Sequence, residues 1–138
     1  MNKRRALIPI DGSEKSLISL QYLKDLYDPN KVEVVLLHVR EIVFMDGMAV
    51  TEEIKEAEEI GTRVLNEAAD IIKEFDSTSE LSFGYAADEI LAYVEDKNID
   101  LILMAKNTKK KFAAIVGSVT AQVAKKTKCI LVIIPEKN

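Results

Sequence analysis

Short apolar runs alternate with longer amphipathic stretches along the whole chain. The apolar runs predict strands at residues 6–10, 32–39, 81–83, 101–105 and 129–134. Apolar positions that recur every three or four residues predict helices at residues 14–27, 51–75, 87–97 and 118–126. Strands that alternate with helices in this way are typical of an α/β fold, a single open five-stranded parallel sheet with helices on both faces.

The predicted helices have recognisable ends and buried faces. Ser13 and Thr51 are candidate N-caps, Pro29 follows the first helix, and a longer irregular stretch at 40–50 contains Asp46-Gly47. The positions expected to face the sheet are Leu17, Leu20, Leu23 and Leu26 in the first helix, Ile54, Ala57, Gly61, Val64, Ala68, Ile71 and Phe75 in the second, and Ile90, Leu91 and Val94 in the third.

Composition and charge exclude several functions. A chain of 138 residues with 48% apolar residues fits one domain, residues 1–138, around one core. The net charge of −4 argues against binding to nucleic acid or to an anionic membrane. One cysteine, Cys129, and one histidine, His38, predict neither an internal disulfide nor a metal cluster. No run is long enough to span a bilayer, so we expect a cytoplasmic protein.

The stretch at 100–120 has the strongest functional pattern. An apolar run at 101–105 is followed by a loop with lysines, and Gly117-Ser118 then begins a helix. The N–H groups at a helix start have no internal partner and the helix dipole adds positive charge, so this arrangement favours anions. The simpler interpretation, which we favour, is a solvated basic loop. The lysines are Lys106, Lys109, Lys110 and Lys111.

Several segments, in the right order, resemble the universal stress protein family. Residues 6–23 (ALIPIDGSEKSLISLQYL) resemble its first strand, turn and helix, and residues 36–39 (LLHV) resemble its second strand. The segments GYAADEI at 84–90, DLILM at 100–104, GSVT at 117–120 and CILVIIP at 129–135 resemble its third helix start, fourth strand, last helix start and last strand. The resemblance implies the adenine nucleotide alpha hydrolase-like strand order 3-2-1-4-5 and a dimer formed through the last strand.

The same resemblance implies a test for ATP binding. ATP-binding members carry G-x2-G-x9-G-[ST] before the last helix, because glycines let backbone N–H groups approach phosphates. Gly117 and Ser118 match the final positions. The strict spacing puts Met104 and Asn107 at the first two glycines, whereas alignment from the strand puts Ala105 and Thr108 there. Neither register supplies a glycine, so ATP binding, with or without Mg²⁺, would be lost or modified.

The other candidate positions have two interpretations each. By resemblance Asp11 would contact a nucleoside and Val39 would lie against adenine, but Asp11 could instead bind nearby amides in a turn and Val39 could be plain core. Ser118 could bond a phosphate or serve as a helix N-cap. The candidate nucleotide-binding residues are Ile10, Asp11, Val39, Ala105, Asn107, Thr108, Gly117, Ser118 and Val119.

The histidine and the cysteine favour structural roles. His38 lies in a central strand with no serine, cysteine or second acid nearby in the sequence, so we expect a buried, hydrogen-bonded imidazole rather than a catalytic one. Cys129 begins a buried strand and is expected to be inert core.

Three functions follow as hypotheses. The first, favoured by the missing glycines, is a non-enzymatic universal-stress-type protein that acts in a stress response through dimerisation and partner contacts. The second is an ATP-binding switch or slow ATPase in which the lysine loop replaces the glycines. The third is a phosphorylated receiver-like domain, which would need an acidic pair where Asp11 stands alone. The homodimer is expected because the run from Cys129 to Ile134 would form an apolar edge strand.

Overall fold

The computed structural model describes residues 2–41, 51–106 and 117–135, including the backbone but not the side chains of residues 51 and 52. Arg40, expected to begin the irregular segment at 40–50, instead ends the second strand, while residues 42–50 with Asp46-Gly47 and the predicted cap of Thr51 lie outside the described residues. The same holds for five loop residues discussed above, which are Asn107, Thr108, Lys109, Lys110 and Lys111.

The strands form one five-stranded parallel sheet in the order β3-β2-β1-β4-β5, which confirms the predicted topology. This order differs from the 2-1-3-4-5 order of receiver domains and argues against that hypothesis. Ser77, where β3 begins, lies well before the predicted start because the first residues of this edge strand are polar and exposed. The strands are β1 (Arg4–Pro9), β2 (Val32–Arg40), β3 (Ser77–Phe83), β4 (Leu101–Ala105) and β5 (Ile130–Ile134).

Helices connect the strands as predicted, although the first begins later than expected and the second ends at Ile71 rather than near Phe75. They are α1 (Ile18–Leu26), α2 (Thr51–Ile71), α3 (Ala86–Asp96) and α4 (Ser118–Lys126). The first was expected to begin at Glu14, but Lys15–Leu17 form a turn of 3-10 helix instead. The hydroxyl of Ser16 donates a 2.8 Å hydrogen bond to the Ser13 carbonyl, and this local bond favours the tighter turn.

The predicted inward face of α1 is wrong at its last position. Leu20 and Leu23 are fully buried and Leu17 packs against the core, but Leu26 is 64% exposed. Tyr27, four residues after Leu23, packs against the core in its place.

Two apolar clusters cover the two faces of the sheet. One includes buried residues of α1, α2 and the turn after α2, among them Leu20, Leu65, Ile72 and Phe75. The other includes Ile90 and Val94 of α3 and Val123 of α4. The predicted stripe on α2 is confirmed at Ala57, Gly61 and Ala68, which are buried, and at Val64 and Ile71, which pack against the core. Phe75 is buried as predicted but lies in the turn after α2, while Leu65 and Ile72 were missed. In the described part of the chain, no helix is both long enough and apolar enough to cross a membrane.

Candidate functional site

A cavity lies where the carboxyl ends of β1, β2 and β4 meet. β1 pairs with β2 on one side and with β4 on the other, so the direction of the strand order reverses at β1. In open parallel sheets such a switch point leaves a crevice that binds ligands. The cavity volume is ≈ 150 Å³. Its lining residues are Pro9, Ile10, Asp11, Ser16, Leu37, Val39, Ala86, Ile90, Met104, Ala105, Gly117, Ser118, Val119 and Thr120.

The structure brings together every candidate residue that it describes. The seven are Ile10, Asp11, Val39, Ala105, Gly117, Ser118 and Val119. Sequence reasoning missed the contributions of Ala86 and Ile90, because a pattern of apolar residues on α3 cannot tell which end of the sheet they reach. It also missed two hydroxyl side chains, Thr120, which follows Val119 in the chain, and Ser16, which lies five residues after Asp11.

The turn after β1 is held by Asp11. Its Oδ1 accepts hydrogen bonds from the Ser13 N–H at 2.9 Å and from the Ser13 hydroxyl at 2.6 Å. Between them, Gly12 has φ +92°, a conformation that favours glycine. Ser13 Oγ in turn accepts from the Ser16 N–H at 3.2 Å. Because Glu14 holds the N-cap position of the 3-10 turn and Leu17 that of α1, the prediction that Ser13 caps the first helix is wrong. The turn function foreseen for Asp11 is therefore present, and its exposed carboxylate also forms part of the cavity wall.

The start of α4 forms the opposite wall. Gly117 occupies the N-cap position, so the prediction that Ser118 caps this helix is wrong. Ser118 is instead the first helical residue, and its side chain is exposed beside the cavity. The N–H groups of a first helical turn have no acceptor inside the helix, and the dipole makes this end favourable for an anion. The Gly117 N–H bonds the Lys106 carbonyl at 3.0 Å, which joins the helix start to the end of β4.

The floor of the cavity between these walls is apolar. Val39 of β2 is half-buried, and Ile10 and Ala105 are buried. A small apolar space with a carboxylate at one end and helix N–H groups at another can hold a flat ring and orient polar substituents around it.

His38 and Cys129 lie apart from the cavity lining. His38 is 1% exposed, as predicted, and its Nδ1 is 2.6 Å from the Ile10 carbonyl. Its Nε2 has no hydrogen-bond partner among the described residues, so the expected hydrogen bonding of the buried imidazole is present at one ring nitrogen only. Cys129 is half-buried, packs against the core cluster that contains Ile90 and Val123, and precedes β5 rather than beginning it. Residues 2–41, 51–106 and 117–135 contain no group of acidic, histidine or cysteine side chains placed to hold a metal ion.

The fold and the crevice define an α/β protein with an open parallel sheet and a ligand-sized cavity at its switch point. The chain belongs to the universal stress protein family, whose model matches residues 3–135. The family resemblance of the sequence segments is thereby confirmed.

Individual relatives share this fold over almost their whole length. Universal stress protein MJ0577 of Methanocaldococcus jannaschii is 29% identical over 156 aligned positions, covering 98% of this chain and 96% of the relative. The solved structure of MJ0577 has a TM-score of 0.75 at 28% identity and covers 100% of this chain and 99% of its own.

Two less similar structures contain adenine nucleotides. A universal stress protein in complex with cAMP has a TM-score of 0.74 at 18% identity, covering 95% of this chain and 96% of its own. The universal stress protein of Archaeoglobus fulgidus in complex with dAMP has a TM-score of 0.69 at 20% identity, covering 96% of this chain and 98% of its own. At 18% and 20% identity, these two comparisons show a shared fold and nothing more.

Proposed function

We propose that this protein is a non-enzymatic regulatory protein, one domain acting in a cytoplasmic stress response, that binds an adenine nucleotide mainly through its nucleoside. The observation that carries the proposal is the cavity of ≈ 150 Å³ between the Asp11 turn and the start of α4. Family members of the same fold in complex with cAMP and dAMP support the choice of an adenine nucleotide.

The size of the cavity favours the base over a long phosphate chain. The cavity of roughly 150 Å³ is small beside the about 300–1,000 Å³ of typical ligand pockets, so the flat base is the part of a nucleotide that it would enclose. The sequence also places no glycine at the earlier phosphate-loop positions, which are Asn107 and Thr108 or their alternatives Met104 and Ala105. The first turn of α4 supplies N–H groups for one phosphate. We therefore expect affinity to depend little on the number of phosphates.

The proposal of a non-enzymatic role rests on the contacts of the polar groups around the cavity. The Ser16 hydroxyl donates to the Ser13 carbonyl, and Asp11 binds Ser13. The His38 ring is directed at the Ile10 carbonyl and does not line the cavity. Nucleophilic catalysis needs a general base paired with a hydroxyl group. Among the residues that the structure describes, we find no such pair at the cavity wall.

Isothermal titration calorimetry with adenosine, AMP and ATP, each with and without Mg²⁺, tests the proposal. We expect dissociation constants within about tenfold of one another and no requirement for Mg²⁺. If ATP with Mg²⁺ binds about a hundredfold more tightly than adenosine, the ATP switch with a lysine loop is the better description. If no compound at millimolar concentration produces heat or raises the melting temperature, nucleotide binding is refuted.

The two roles of Asp11 can be separated with a matched pair of variants. Asp11→Ala and Ser13→Ala both remove hydrogen bonds of the same turn. If Asp11 also contacts a ribose hydroxyl, Asp11→Ala weakens adenosine binding more than adenine binding, whereas Ser13→Ala affects both ligands alike. If Asp11→Ala, like Ser13→Ala, loses the same affinity for adenosine as for adenine, Asp11 serves the turn alone and does not contact the ribose.

A second proposed property is a homodimer formed through β5, the partner contact expected from the sequence. β5 is an edge strand of the sheet, and on it Ile130 is 66% exposed and Ile133 is 37% exposed. Exposed apolar edges pair readily with another chain, and pairing with a second copy closes a two-fold dimer.

A further inference from the structure

The hydrogen-bond ladder between β1 and β2 stops earlier than β2 itself. The last pair in the register is Pro9 with Leu37, although β2 continues to Arg40. The Ile10 N–H still donates to the Leu37 carbonyl at 2.8 Å. In a regular parallel ladder the Val39 N–H would donate to the Ile10 carbonyl next, and the register would then extend to the following pair.

The side chain of His38 binds that carbonyl instead. Its Nδ1 lies 2.6 Å from the Ile10 oxygen, and since a carbonyl only accepts, Nδ1 carries the hydrogen. The ring is held from the other side by α2, where a Cβ on Gly61 would come within 3.1 Å of His38 Cδ2. The imidazole is thus packed against α2 on one side and hydrogen-bonded to Ile10 on the other.

The peptide edge of Val39 consequently faces the cavity. Successive residues of a strand direct their peptide groups to opposite neighbours, and the Arg40 carbonyl accepts from the Gly84 N–H at 3.0 Å, beside β3. The peptide groups of Val39 therefore point the other way, past the end of β1, where Val39 lines the cavity.

We propose that His38 is a positioning residue of the ligand site. By donating to the Ile10 carbonyl, it prevents the next ladder bond and keeps the Val39 N–H and C=O available to a ligand. A neighbouring donor and acceptor match a base edge that carries a ring nitrogen acceptor beside an amino donor, as adenine does. This inference deepens the proposed function and rests on it.

Adenosine titrations of three variants test the role of His38 in binding. His38→Leu removes the donor and keeps an apolar side chain, so the ladder bond can form and affinity should fall about tenfold. His38→Asn keeps a donor near the position of Nδ1 and should bind within about threefold of the wild type. Ser19→Ala is the matched control, because Ser19 Oγ is also fully buried and without a partner in the described chain, yet Ser19 does not line the cavity.

Amide hydrogen exchange, followed by NMR in the wild type and in His38→Leu, tests the same idea without depending on a binding measurement. In the free protein the Val39 amide should exchange about a hundredfold faster than the Leu37 amide, which is part of the ladder. His38→Leu should slow the Val39 amide, and in the wild type adenosine should slow it too.

The outcomes separate the two proposals. If the wild type binds no adenosine but Val39 exchanges rapidly and is slowed in His38→Leu, the proposed ligand is wrong and the effect of His38 on the ladder holds. If Val39 is as protected as Leu37 in the free wild type, or if His38→Leu binds adenosine as the wild type does, the role of His38 is overturned. An equal loss of affinity in Ser19→Ala would reduce the effect to general loosening of the core and would also overturn it.

Discussion

The hydroxyl of Thr120 donates a 3.2 Å hydrogen bond to the carbonyl of Ala105, and both residues are buried at the cavity wall. This bond joins the first turn of α4 to the last residue of β4. It therefore sets the distance between the helix start and the apolar floor of the cavity.

Thr120→Val keeps the shape of the side chain but removes the donor. We expect a loss of about 1–2 kcal/mol in the free energy of unfolding, because a buried carbonyl loses a partner. Urea unfolding followed by circular dichroism measures the change. Thr62→Val, the same exchange at an exposed position of α2, is the control and should change stability by less than about 0.5 kcal/mol. Equal stability of the two variants would show that the Thr120 bond contributes nothing.

Gly61→Ala tests how tightly α2 packs on the sheet. An added Cβ would lie 2.6 Å from Leu81 Cδ1 and 3.1 Å from His38 Cδ2. Alanine gains about 1 kcal/mol in helix propensity, but overpacking costs about 1–3 kcal/mol, so we expect a net loss near 1 kcal/mol. Thermal unfolding measures it, with Thr62→Ala at the neighbouring exposed position as the control.

The same substitution should also affect the ligand site. Because the added methyl group displaces the His38 ring, adenosine affinity should fall together with stability in Gly61→Ala. A variant as stable as the wild type with unchanged affinity would mean that the tips of Leu81 and His38 move aside without cost.

Ile130→Lys tests the proposed dimer. A charge at this exposed edge position should prevent pairing with a second copy, so light scattering at tens of micromolar should give a mass near the 15.4 kDa of one chain. Tyr85→Lys, which replaces a side chain that is 73% exposed next to α3, is the control and should stay dimeric. A wild type that is already monomeric under these conditions would refute the dimer.

Tyr93 predicts a dependence of stability on alkaline pH. Burial raises the pKa of its hydroxyl above 10.0, and the carboxylates of Glu80 and Glu89 add to this, while the Ser82 hydrogen bond and Lys97 oppose it. Tyr93 therefore ionises at a lower pH in the unfolded chain than in the folded protein. The stability that its neutral hydroxyl contributes is fully present below pH 10 and is lost as the pH rises through the folded pKa.

Tyr93→Phe has no group to ionise at this position. Its melting temperature should therefore fall less between pH 9 and pH 11 than that of the wild type, although other groups, including Tyr27, whose pKa burial also raises, contribute to both proteins. Parallel melting curves over this range measure the difference. A Tyr93→Phe curve that follows the wild type at every pH would show that Tyr93 ionises alike in the folded and unfolded chains.

Much of the fold could be predicted from local patterns. The bounds of α4, residues 118–126, agree with prediction, because Gly117 caps the start of the helix and the lysines near its end suit its negative pole. Patterns failed where a nearby hydrogen bond or a neighbouring residue decided the outcome. Ser13 and Ser16 tighten the first turn before α1, and Tyr27 rather than Leu26 packs against the core.

Local sequence patterns predicted the order of strands and helices. The family resemblance added the strand order 3-2-1-4-5 and the seven described candidate residues, which the structure places at the cavity. Periodicity reports which side of a strand or helix a residue faces, and turn residues report where elements end. The hydrogen bonds from His38 to the Ile10 carbonyl and from Thr120 to the Ala105 carbonyl are visible only in the folded structure. Each of these bonds joins two different elements, so it depends on the register and packing between them, which no local pattern encodes.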